Sequence, residues 1–244
     1  MPSLFDLFCV SSDATAAVEF GEEYKRKNPN DPRTIHQLGA VHLYTQDWSD
    51  PVYRQLNQDL AAEDRSVMVK WFSYLKLIIS AIATEPKVSA TLWRGVKADI
   101  ASEYPIGKKF RWWRFSSCTE DGDVLKNPGF LGHHGKRTLF SVESLSGVKI
   151  NHLSAYKAEA EVLLSPETRF EVKQVINPGP GLTVIVLKEI ASGLCYTEPS
   201  SSGETKTGVD VSFFCFFFLI VFLYLVRYFD FFLSLCFCFC FTDF

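Results

Sequence analysis

The sequence predicts an α+β fold, with helices first and strands after them. Three observations carry that expectation. Apolar residues recur at helical spacing up to about residue 85, β-prone segments punctuated by Gly and Pro fill residues 88–190, and residues 156–172 read as strand, turn, strand. The 244 residues thus divide into a domain over 1–208 and a hydrophobic tail over 209–244. Within the domain, a helical part is expected at about 13–85 and a β core at about 88–190.

Residues 13–27 place Ala14, Ala17, Val18, Phe20 and Tyr24 at mostly helical intervals, and Lys25-Arg26-Lys27 suits the negative end of a helix dipole. Asn28-Pro29-Asn30-Asp31-Pro32 breaks the pattern. Ile35, Leu38, Val41 and Tyr44 mark a second helix over 33–45, and two more are expected over 52–62 and 65–83. Asp50 before Pro51 offers an N-cap followed by Pro at the first helical position. His36 and His42 stand six residues apart and share no helical face, so both are read as structural.

After Pro86 the pattern changes. Ala90 to Val96 is short and β-prone, and Lys109 to Thr119, KFRWWRFSSCT, alternates well enough to be one second strand. One of Trp112 and Trp113 must then face inward. Further strands are expected at 138–142, 148–150, 162–165, 168–175 and 182–190, with Gly179-Pro180-Gly181 as a turn. Lys126 to Lys136, KNPGFLGHHGK, reads as a mobile loop. Its His133-His134 pair diverges and has no third ligand nearby, so no metal site is expected.

The formal charge of −3 supplies no basic field for nucleic acid. Of the cysteines, Cys215, Cys236, Cys238 and Cys240 lie in the tail, leaving Cys9, Cys118 and Cys195 widely spaced in the domain. That spacing makes neither a disulfide framework nor a metal site. The opening MPSLFDLFCVSSD has no basic region followed by a long apolar one, so no secretory signal is expected there. A cytoplasmic or tail-mediated membrane location follows as the expectation.

The chemistry is expected at YKAEAEVLLSPETRFEV, residues 156–172. In a strand, residues two apart share a face at about 6.5–7 Å, so Glu159 and Glu161 would present two carboxylates to one space. Such a pair can stabilise a cation and steer a nucleophile; by itself it can equally be the solvated face of an edge strand.

Three segments stand in a definite order: LWRGV with Arg94, FSSCT with Ser116, Ser117 and Thr119, and EAEVL with Glu159 and Glu161. Together they resemble the Arg, Ser-x-Ser/Thr, Glu-x-Glu signature of the arginine-specific mono-ADP-ribosyltransferases, the branch similar to cholera-type toxins and animal ectoenzymes. The likeness runs on through residues 42–60, 71–82 and 161–172 and covers most of 35–190. It implies N-terminal helices packed on two small mixed β-sheets that form a cleft for NAD, with NADP as an alternative.

The resemblance also assigns roles. Arg94 would bind or order the anionic part of NAD through forked hydrogen bonds, and Gly95 would let the backbone approach the nicotinamide amide. Ser117 and Thr119 would brace the ribose and the catalytic glutamate. Glu161 matches the glutamate that holds the ribose hydroxyl and stabilises the cation left when nicotinamide departs. Glu159 matches the residue that aligns an acceptor arginine, and Tyr156 falls where the family uses an aromatic for substrate recognition, surface packing being its other reading. Cys118 is read as packing on the opposite face, standing where the family commonly has Thr; Ser165-Pro166 replaces a frequent double proline.

The function implied is transfer of ADP-ribose from NAD to an arginine-bearing acceptor protein. The alternatives are NAD glycohydrolysis, in which water replaces arginine, and a catalytically inactive NAD-binding interaction module. For the tail, Val211 to Leu225 is uncharged and shorter than the ~20 residues a spanning helix needs, with Arg227 and Asp230 beyond it. It reads as a membrane anchor, as a lipid-anchor signal after Ser200-Ser201-Ser202-Gly203, or as the translation of a pyrimidine-rich tract.

Overall fold

The computed structural model describes residues 12–47, 51–123, 131–157 and 160–191. Its helical part comprises α1 (Ser12–Lys27), α2 (Ile35–Thr45), α3 (Val52–Leu60), a 3₁₀ turn over Arg65–Trp71 and α4 (Phe72–Ala83). Helix α2 begins with a reciprocal cap: Thr34 Oγ1 accepts the Gln37 amide at 3.2 Å, and Gln37 Oε1 accepts the Thr34 amide at 2.8 Å. Most of α2 is buried, including Leu38, Val41, Leu43 and Tyr44, so it is the helix around which the others pack.

Arg33, itself buried, ties the turn before α2 to the end of α4 by bonding both Asp31 and Glu85. The hydrogen bond from Arg33 holds the Asp31 carboxyl below its usual range. His152 reaches the same Glu85 carboxylate at 2.9 Å, which brings the loop after β4 to this network.

The β part comprises β1 (Lys87–Val96), β2 (Lys109–Trp112), β3 (Ser116–Thr119), β4 (Arg137–Lys149), β5 (Glu161–Leu164), β6 (Thr168–Gly179) and β7 (Leu182–Glu189). Their order is β1-β3-β5-β4-β7-β6-β2, with β1 also paired to β4. Every pairing is antiparallel except β4 with β7, so the arrangement is mixed. The two sheets expected from the resemblance are joined: β4 is long enough to pair with β1, β5 and β7 at once.

Two apolar cores result. One gathers α1, α2, α3 and α4 onto Phe115, Val148, Ile150, Leu153 and Leu163; the other lies among the strands, with Leu92, Cys118, Phe140, Val162, Leu164, Phe170 and Ile185. Glu189 fixes the bend in β4 between them. Its carboxylate accepts from Ser144 Oγ at 3.1 Å and from the Ser146 amide at 3.0 Å. At the bend stands Gly147, where a Cβ would lie 2.8 Å from Val162 Cγ1, so only glycine lets β5 come this close.

Four expectations need correction. Residues 109–119 form two strands at opposite ends of the order, because Phe115 turns into the helical core and its amide donates to Asn57 Oδ1 at 2.9 Å. Residues 138–142 and 148–149 belong to one strand, with Ile150 just beyond its end, since the bend at Gly147 keeps pairing with β1. The helix expected over 65–83 is divided into a 3₁₀ turn, capped by Asp64 Oδ1 on the Ser66 amide, and α4. Helix α3 is capped at Pro51 without a side-chain bond; Asp50 lies outside the described residues. So do Cys9, Cys195, residues 126–130 of the loop and the whole of 192–244, including the tail.

Candidate active site

Strands β3 and β5 run antiparallel with Thr119 opposite Glu161 and Ser117 opposite Leu163. Pleating sends Cys118, Val162 and Leu164 into the core among the strands, and Ser117, Glu161 and Leu163 to the face that meets the helices. Glu161 therefore stands at the polar end of a surface whose remainder is packed.

Glu161 is 6% exposed. Ser154 Oγ donates to Glu161 Oε2 at 3.2 Å, and the Ser117 hydroxyl donates from β3. Burial raises the Glu161 pKa above the ordinary glutamate value, while the two serine hydrogen bonds, which favour the charged form, pull it back. Arg94, on β1, sends Nη1 to the Ser117 carbonyl at 2.7 Å and so couples β1 to the strand that holds Glu161. Arg94, Ser117 and Glu161, far apart in sequence, are brought together.

The other residues singled out from sequence fall as follows. A Cβ on Gly95 would lie 2.8 Å from Leu131 Cβ, so the side chain of Leu131 covers this position. Thr119 is buried, and its Oγ1 accepts the Asp121 amide at 3.0 Å where the chain leaves β3. Tyr156 is 46% exposed on the loop before β5. Glu159 lies outside the described residues, and β5 begins only at Glu161. Ala160 has φ +46°, a left-handed conformation, so the strand alternation expected to align Glu159 with Glu161 does not reach back through it.

Cys118 packs as expected: burial pushes its thiol up to about 12, which rules it out as a nucleophile. Trp112 joins the core among the strands, whereas Trp113 is 41% exposed, lying beside the guanidinium groups of Arg65 and Arg111. His42 is structural. Its ring stacks on Phe20 at 3.9 Å, and Nδ1 lies 3.0 Å from the Leu153 carbonyl. A carbonyl only accepts, so Nδ1 carries the proton; burial lowers the His42 pKa and keeps the ring neutral. Among the described residues no cluster of three His, Cys, Asp or Glu could hold a metal.

Three site residues escaped the sequence reading. Tyr44 is buried within the electrostatic reach of Glu161 and Arg94; burial raises its phenol well above the usual value, so it stays neutral. Asn57 donates to the Tyr44 hydroxyl at 3.0 Å and accepts the Phe115 amide, linking α2 and α3 to the start of β3. Ser154 completes the hold on Glu161. Tyr44 and Asn57 lie within residues 42–60, where the resemblance runs, without being singled out there, and Ser154 carried no signal.

A family model described as NAD:arginine ADP-ribosyltransferase matches residues 17–193. The chain is 28% identical over 159 residues to the NAD(+)–protein-arginine ADP-ribosyltransferase Tre1 of Serratia proteamaculans, covering 64% of this chain and 32% of Tre1. It spans between 19% and 57% of the lengths of the curated relatives it matches. Among solved structures, ADP-ribosyltransferase Vis in complex with agmatine superposes with a TM-score of 0.55 at 22% identity, over 74% of this chain and 87% of that one. The eukaryotic mono-ADP-ribosyltransferase ART2.2 gives 0.58 at 18% identity, over 80% and 87%. Both share the fold.

Proposed function

From the premise that the chain belongs to the NAD:arginine ADP-ribosyltransferase family, we propose that it transfers ADP-ribose from NAD to a protein arginine and releases nicotinamide. The observation that carries this reading is the buried Glu161 carboxylate, held by Ser117 and Ser154 beside Arg94.

Breaking the nicotinamide–ribose bond sends the bonding electron pair to nicotinamide and leaves positive charge on the ribose. A carboxylate withdrawn from water stabilises that charge more than a solvated one, and its fixed position needs no reorganisation as the charge develops. Arg94 has five N–H donors, and one nitrogen is engaged by the Ser117 carbonyl; the others suit the pyrophosphate. The acceptor guanidinium nitrogen then bonds the ribose carbon and loses a proton. Glu159 is assigned that proton by family resemblance, and Tyr156 the contact with the acceptor. Vis was solved with agmatine, a guanidinium compound, and this chain is proposed to use the same acceptor chemistry.

Glu161 acts as a carboxylate, so its protonation ends catalysis. Because burial raises its pKa, the rate of nicotinamide release in the presence of agmatine is expected to fall on the acid side with a midpoint above the ordinary glutamate value of about 4.3. A pH–rate profile that is flat down to that value would count against Glu161 as the working carboxylate.

A further inference from the structure

The loop between β4 and β5 is tied on both sides of Ser154. Leu153 and Ser154 both donate their amides to the Ile150 carbonyl at 2.8 Å, and the Leu153 carbonyl meets His42 Nδ1. The Ala155 amide donates to Thr45 Oγ1 at 2.9 Å, and that hydroxyl in turn donates to the His42 carbonyl at 2.8 Å. One step earlier, His152 reaches Glu85. The last turn of α2 thus sets where the loop runs.

Ser154 is 1% exposed. Its Oγ accepts the Tyr156 amide at 3.1 Å, and its own proton is left to point at Glu161 Oε2, 3.2 Å away. A hydroxyl has one proton to give, so this geometry fixes its direction. We infer that Ser154 is a positioning residue for ADP-ribosyl transfer: anchored to α2 through the loop, it fixes the rotation of the Glu161 carboxylate opposite Ser117.

The groups facing Glu161 from the surrounding elements are Arg94 on β1, Tyr44 on α2, and Ser117 and Thr119 on β3, with Cys118 on the opposite face of β3. Tyr44 and Cys118 stay neutral through the working range, since burial raises both. Removing the Ser154 hydroxyl takes away a donor to the charged form of Glu161 and leaves its burial unchanged. The pKa of Glu161 must then rise further.

The kinetic part of this inference rests on the proposed transferase reading; the placement of the carboxylate does not. The test follows the ¹³C carboxyl resonance of Glu161 in the 244-residue chain, assigned by its loss in Glu161→Gln, alongside nicotinamide release. In Ser154→Ala the titration midpoint and the acid limb of the rate are expected to move together to higher pH. At the optimum kcat falls by about tenfold to a hundredfold, with KM for NAD within about threefold of the parent. Ser154→Cys, a closer steric match with a weaker donor, gives an intermediate shift and serves if the alanine chain fails to fold. A midpoint unmoved in the folded variants overturns the inference, whatever the kinetics do. A parent chain that releases no nicotinamide defeats the transferase reading alone, because the titration still decides the role of Ser154.

Discussion

Glu161→Gln is expected to lower nicotinamide release by about three orders of magnitude with little loss of stability. The substitution keeps the size of the side chain and an oxygen that can accept from Ser117 and Ser154; what it removes is the charge. Burial disfavours that charge in the folded protein, so the fold gives up little when it goes. Catalysis, by contrast, depends on it, because a neutral amide offers only a weak dipole to the ribose cation. Calorimetry should find the melting temperature within about 4 °C of the parent. A variant that retains more than about a tenth of the parent rate would remove Glu161 from the chemistry.

The second large effect is on stability. Phe115→Ala should cost about 3–5 kcal/mol, lowering the melting temperature by about 6–20 °C. Phe115 is fully buried in the helical core, with its ring 5.3 Å from that of Tyr44, and its amide is held by Asn57. The truncation opens a cavity between α2 and the entry to β3, so Ser117 should lose its fixed approach to Glu161 and activity should fall even well below the melting point. A loss under about 1 kcal/mol would mean that the site is not indexed to the helices through this residue.

Phe115 also shows where reading the sequence stops. KFRWWRFSSCT is aromatic-rich and alternates closely enough that local pattern gives one strand, although the phase changes at Trp112-Trp113. The chain is divided by a long-range partner, Asn57, 58 residues earlier, which captures the Phe115 amide and leaves β2 to pair with β6. Locally, only the change of phase at Trp112-Trp113 marks the place where β2 ends; the choice of partner strands is not encoded there. The helices were legible because their apolar spacing is the same property that packs them, as Leu38, Val41 and Tyr44 illustrate on α2. The hairpin at Pro180-Gly181 was legible because Gly181, at φ +71°, needs the freedom that glycine has.

The site divides along the same line. Arg94, Ser117 and Glu161 were found from the family signature that their segments, taken in order, resemble, and the strand pairings explain how that order becomes a cluster. Ser154 was not, since a lone loop serine gives no periodic signal; only the fold brings its hydroxyl to Glu161. The spacing of Glu159 and Glu161 suggested one straight strand, and the left-handed Ala160 between them ends that reading without altering the family's assignment of Glu159.

The most direct measurement is the mass of the product formed when the 244-residue chain is incubated with NAD and agmatine. The expected result is ADP-ribosyl-agmatine in step with released nicotinamide, with the transfer product lost in Glu159→Gln while nicotinamide release continues. Free ADP-ribose as the sole ribosyl product, or NAD left intact, would contradict arginine transfer.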